Sequence, residues 1–224
     1  MMKKYCIEHG WAMSLSRQGK PMIIFSITAL ALVLGWQAYM TIMANTTEQQ
    51  EYRVVEERGD VEIRFYPPAH RASVSVASQD GDYEFIRNRG FRELGGYIFG
   101  NNEANAQIAM TAPVVMDMDS TEQGLSGSMA FTMPRDFDMT TKPQPRSRFI
   151  AFTTTEAQYT ASLRIGGFPS LPEMNTLKDR LFKALAEQGL AHNGHAEYLY
   201  YNPPTQMLGR RNEVLVRLVG FVER

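Results

Sequence analysis

One order of elements occurs twice in this chain, and that repetition restricts its fold more than any other feature. Val61, Ile63 and Phe65 alternate with Glu62, Arg64 and Tyr66, and Ala72, Val74 and Val76 alternate with Ser73, Ser75 and Ala77. A period of two predicts half-buried strands, separated at Pro67-Pro68 because proline ends pairing. The period then lengthens. Tyr83, Ile86, Gly90, Leu94 and Ile98 recur at steps of three and four, which predicts a helix over about 81–99 with a core stripe. Gly100 and Asn101 are its stop signals. Strands are expected at 106–116 and 128–133. The second half repeats the order, with strands at 149–155 and 159–165. A helix opens at the capping box Ser170-Leu171-Pro172-Glu173, carries the stripe Met174, Leu177, Leu181, Ala184 and Leu185, and closes at Gly189. Strands at 196–201 and 213–219 follow. Each half thus reads strand, strand, helix, strand, strand. The expected fold is α+β: duplicated units forming a distorted β-barrel or a curved sheet, flanked by two helices. A pocket belongs between helix and sheet.

Ahead of this body, residues 22–43 carry no charge, and about 20 such residues suffice to cross a bilayer. Lys3, Lys4, Arg17 and Lys20 precede the run, and the next basic residue is Arg53. The positive-inside rule therefore puts residues 1–21 in the cytoplasm and the body outside. Two fates fit the segment: an uncleaved signal anchor, or a signal peptide cut near Ala44. The expectation is a domain in the periplasm, held at the inner membrane or released from it. Residues 44–51 read as a linker and 52–224 as the folded domain.

The usual catalytic patterns are missing. Gly124-Leu125-Ser126-Gly127-Ser128 lacks the last glycine of a nucleophile elbow, and Asn101-Asn102 stand where a phosphate loop needs Lys and Ser or Thr. The single cysteine, Cys6, precedes the apolar run, so the body has no thiol nucleophile and no internal disulfide. The expectation is a binding protein, not an enzyme. Residues 45–224 hold 19 basic and 23 acidic side chains, which argues against nucleic acid as a partner. His192 and His195 are three apart, but with Asn193-Gly194 between them they read as solvated turn residues, since zinc needs further ligands. His70, at a strand start, is either a loop-edge residue or a haem axial ligand.

Five stretches together resemble the SOUL haem-binding family: Tyr66-Pro67-Pro68-Ala69; Gly90-Phe91 with Tyr97-Ile98-Phe99-Gly100-Asn101-Asn102-Glu103; Met110-Thr111-Ala112-Pro113-Val114; Met133-Pro134-Arg135; and Tyr201-Asn202-Pro203-Pro204 with Arg210-Arg211-Asn212-Glu213-Val214. They follow family order. The resemblance implies haem or a related tetrapyrrole bound in an apolar groove beside the first body helix. Carried over on those motifs, Asn88, Phe91, Gly95 and Phe99 line the helix side, Gln206 and Met207 form the facing wall, and Tyr200 borders it. Small Gly95 and Gly96 admit a flat macrocycle close to the backbone. Some relatives place a histidine before the tyrosine that matches Tyr66, where this chain has Phe65. Others have lysines matching Gly96 and Gln206, a role for which Arg87 or Arg92 is the local substitute. These departures favour a looser, pocket-type mode. Another hydrophobic small molecule is the alternative ligand, and an enzyme acting on haem is a further alternative.

Overall fold

The computed structural model describes residues 19–121 and 124–223. Lys3, Lys4, Cys6 and Arg17 lie outside the described residues. The chain divides into two compact units, residues 1–39 and 40–224. Helix α1 (Gly19–Thr46) is long and apolar enough to cross a membrane from Ile24 to Thr46. Ile24, Phe25, Ile27, Leu30, Leu32 and Val33 are all exposed. A helix apolar on every face is not built to cover a sheet. Its Thr28 hydroxyl donates back to the Ile24 carbonyl at 2.9 Å, which satisfies a polar group that apolar surroundings would otherwise penalise.

The body is α+β. Strands β2 (Arg53–Arg58), β3 (Val61–Tyr66) and β4 (Ala69–Ser78) lead into α2 (Tyr83–Ile98), then β6 (Val114–Thr121) and β7 (Gly124–Thr132). The second half supplies β8 (Ala151–Thr155), β9 (Gln158–Ile165), α3 (Leu171–Glu187), β10 (His192–Tyr200) and β11 (Asn212–Leu218). These strands form one sheet in the order β2-β3-β9-β11-β10-β6-β7-β4-β8, with every pairing antiparallel. Because β2 and β8 end the order without meeting, the sheet is curved and open. The barrel form of the expectation is therefore corrected to a sheet. The repeat itself holds: β3-β4-α2-β6-β7 and β8-β9-α3-β10-β11.

A short parallel pair joins β1 (Glu48–Gln49) to β5 (Thr111–Ala112). Gln50 N donates to the Ala112 carbonyl at 2.8 Å, and the Arg135 backbone N–H donates to Glu48 Oε1 at 2.9 Å. Residues 48–50 thus dock on two of the quoted motifs. Residues 106–110, expected in a strand, have no regular structure.

Register explains how α2 is seated. One lateral row runs Asn212, Tyr200, Val114, Phe131, Ala72, Phe152 across six strands, all on one face because side chains alternate. Along that row Tyr200 meets Tyr83, Phe131 meets Phe91 and Phe152 meets Tyr97, so α2 lies across the sheet. Gly90 is the close approach, where a Cβ would come 3.0 Å from Met129 Cβ. Helix α3 covers the other half of this face with Met174, Leu177, Leu181 and Leu185 fully buried.

The opposite face is also buried near β3 and β11. Arg64 and Glu213 are among the buried residues there and pair bidentately at 2.6 and 3.0 Å. Arg211 Nε and the Tyr201 hydroxyl donate to the same carboxylate at 2.8 and 3.0 Å. The Tyr52 ring lies 4.3 Å from the Arg64 guanidinium carbon. Burial alone would raise Glu213, but its hydrogen bonds and ion pairs with Arg64 and Arg211 hold the carboxyl below the usual range. Arg64 and Tyr66 are therefore internal, not the solvated partners of Val61 and Ile63 that alternation predicts. Phe65 is half-buried against Tyr159, ring centroids 5.2 Å apart.

Candidate functional site

Helix α2 starts at Asp82, whose carboxylate accepts from Phe85 N at 3.1 Å. This cap satisfies one of the free N–H groups of the first turn. Ile86, Gly90, Leu94 and Ile98 face the sheet and are buried. Steps of three and four put Asn88, Phe91, Gly95 and the C-cap residue Phe99 along an adjacent side. Asn88 is exposed, Phe91 is 39% exposed and Phe99 61%. Gly95 forms the floor between the rings. A Cβ there would lie 3.5 Å from Phe91 Cε1 and 3.8 Å from Phe99 Cε2. Phe91 rests edge-on against Phe131 with centroids 5.6 Å apart, so one edge touches the sheet while the ring stays accessible.

The segment after Pro204 is organised by Arg210. Its guanidinium donates to the carbonyls of Gly167, Pro203 and Gln206 at 3.0, 2.6 and 3.0 Å and lies 4.2 Å from the Phe168 ring centre. Gln206 is turned inward. It accepts from Asn202 Nδ2 at 3.0 Å and donates to the Leu208 carbonyl at 2.9 Å. The expectation that Gln206 lines a wall is corrected, because its amide braces the loop. Met207 and Leu208 are its exposed apolar members, at 63% and 62%. Leu208 had no signal in the sequence, since an irregular loop has no period. Tyr200 borders the N-terminal half of α2 through its hydroxyl, 2.9 Å from that of Tyr83. Burial raises the Tyr200 phenol far above its ordinary value, so it stays neutral. Arg87 pairs with Glu84, and burial followed by the charge of Arg87 lowers Arg210.

His70 stands elsewhere. Its Nδ1 lies 2.9 Å from Thr154 Oγ1, in a concavity of about 160 Å³ with Pro67, Met133 and Arg135. That is smaller than the roughly 300 Å³ at which small-molecule pockets begin. A larger concavity of about 950 Å³ lies among Val55, Glu56, Arg58, Leu190, Phe221 and Glu223. Two of its members are engaged by residues outside it: Phe221 packs on Tyr159, and Glu223 takes Arg53 at 2.6 Å. Size alone does not make it the better candidate. The α2 strip differs in setting two exposed rings, Phe91 and Phe99, across a floor with no side chain.

Comparison with known proteins decides the ancestry of this arrangement. Residues 47–217 match the model of the family described as SOUL heme-binding protein. The chain belongs to the SOUL haem-binding family. Human heme-binding protein 2 is 32% identical over 163 residues, covering 70% of this chain and 77% of the relative. The mouse protein of the same name is 33% identical over 160 residues, with the same coverage. Among solved structures, the C-terminal domain of EcmrR has a TM-score of 0.55 at 11% identity, covering 76% of this chain and 99% of that one. A hydrolase from Listeria innocua has a TM-score of 0.52 at 8% identity, covering 73% and 94%. At such identities these two share the SOUL fold alone, and fold does not carry activity.

Proposed function

We propose that this SOUL domain binds haem or a related tetrapyrrole on the exposed side of α2, and that α1 holds it at the outer side of the cytoplasmic membrane. The observation that carries the reading is the uncovered pair Phe91 and Phe99 with Gly95 between them. The residues suit such a guest. The side-chain-free floor at Gly95 admits a flat face, both rings offer apolar area, and Met207 and Leu208 add more. Arg87 is the cation positioned for an acidic edge. Removing apolar surface from water drives the binding. The basic residues before α1, with none after it until Arg53, support the orientation, which an alkaline phosphatase fused at the C-terminus reads by its activity.

Titrating haem into the full chain in detergent should produce a Soret-type band with saturable, one-to-one behaviour. Phe91→Asp should abolish saturation while leaving the circular dichroism unchanged, which controls for haem taken up by detergent. An identical titration in Phe91→Asp would end the proposal. His70 lies apart from the strip, and Phe65 replaces the histidine of some relatives. These two facts favour a second reading, recognition of the apolar body rather than the iron. On that reading iron-free protoporphyrin binds about as tightly as haem, followed by its fluorescence. Native mass spectrometry of material from the natural host identifies any other apolar guest.

A further inference from the structure

A different cluster lies on β6 and β10, on the sheet face away from α2. Asp117 and Asp119 are two residues apart on β6 and so share a face. Glu197 of β10 pairs opposite Asp117, and continuing that antiparallel register by two sets His195 opposite Asp119. The β10 pairing with β11 is irregular between His192 and Ala196, and such bulges re-aim side chains. His195 Nε2 lies 3.0 Å from Asp117 Oδ2. One ligand atom from each of Asp117, Asp119 and His195 lies within 4.8 Å of the other two. Glu197 is drawn aside by Arg71 at 2.6 Å. On the other flank, β7 places Ser128 and Ser126 opposite Asp117 and Asp119, so β7 itself supplies no cation to these carboxylates.

We propose that Asp117, Asp119 and His195 form a site for a divalent cation of the zinc type, with water completing its coordination. The chemistry fits, because imidazole nitrogen with carboxylate oxygen suits zinc and its neighbours in the first transition row. Bonds of about 2.0–2.1 Å put tetrahedral ligands roughly 3.3 Å apart. His195 and Asp117 are already that close at 3.0 Å, and the remaining separations close by at most about an ångström and a half, within the reach of side-chain rotation for exposed Asp119 and His195. The ion takes the place of the direct His195–Asp117 contact, with the Nε2 lone pair turned to the metal. Burial raises the Asp117 carboxyl, His195 opposes the rise, and Asp119 and Glu197 add to it. A dication relieves that crowding of negative charge. His192 is not part of the site, since its Nδ1 accepts from Gly194 N at 3.1 Å and its ring lies on Phe182.

The test uses the full chain without an affinity tag, in detergent and freed of metal by a chelator. Zinc chloride is titrated by calorimetry and cobalt chloride by visible absorbance. A single equivalent should bind in the micromolar range, with cobalt bands of nitrogen–oxygen coordination. His195→Ala and Asp119→Asn should each weaken zinc by at least about tenfold, since even groups behind a metal ligand cost that much. His192→Ala should leave binding unchanged. Both variant sites are exposed, and matching circular dichroism confirms that folding is intact. Failure to bind zinc below millimolar concentration, or binding retained in His195→Ala, would overturn the proposal. Haem titration should be the same in all these variants, so this result and the one for α2 stand or fall separately.

Discussion

Helices α2 and α3 occupy equivalent places in the two repeats, and the contrast between them is instructive. Both begin at a capping residue, Asp82 in one and Ser170 with Glu173 in the other. Both bury one stripe, Ile86, Gly90, Leu94 and Ile98 against Met174, Leu177, Leu181 and Leu185. They diverge outside that stripe. α3 turns Glu173, Asp179, Arg180, Lys183 and Glu187 to solvent, whereas α2 leaves Phe85, Phe91 and Phe99 exposed. A helix that has only to cover a sheet keeps a polar exterior. The aromatic side of α2 is therefore surplus to the core.

Four measurements probe this contrast. Leu94→Ala and Leu181→Ala should each destabilise the domain by about 2–5 kcal/mol, read by urea unfolding. A mild effect in one alone would break the equivalence of the two stripes. Next in size, Asp82→Ala removes the α2 cap and should cost about 1 kcal/mol, seen as a shifted urea midpoint with an unchanged slope. Phe99→Ser should change stability by no more than about 0.5 kcal/mol, because the ring is largely solvated. A large loss would place Phe99 in the core and erase the difference from α3. The smallest effect concerns pH. The Glu173 carboxyl is held below its usual value by the backbone N–H and hydroxyl of Ser170. Its contribution is present above the unfolded value near ~4.3 and fades as pH falls through the folded one. Thermal melts of wild type and Glu173→Gln should separate at neutral pH and converge in acid.

Much of this could be read from the residues. Stripe spacing located both helices to within two residues at their starts, because apolar periodicity reflects burial on one side. The Phe91–Gly95–Phe99 strip came from the resemblance to the SOUL family and not from periodicity, which marks only the buried stripe beside it. Strand β2 was not, because a bulge between Val54 and Glu56 interrupts the alternation. Arg64 was misleading. It alternates as a solvated residue does, yet its partner Glu213 is 149 positions away, and charge pairing at that distance leaves no local trace. The turn expected at His192 and His195 proved to be part of β10, and the carboxylates beside His195 come from another strand. Gln206 looked like a lining residue, but only the folded loop shows where its amide bonds.

An open sheet leaves a row of backbone donors and acceptors along each border, and such borders invite strands from other molecules. At β2 the invitation is withdrawn twice. The bulge bends the border, and exposed Arg53, Glu56 and Glu57 set charge along it. An incoming strand would meet ions where it needs a flat, apolar template. On that side bend and charge oppose growth by strand addition, a safeguard that a closed barrel obtains by having no border at all.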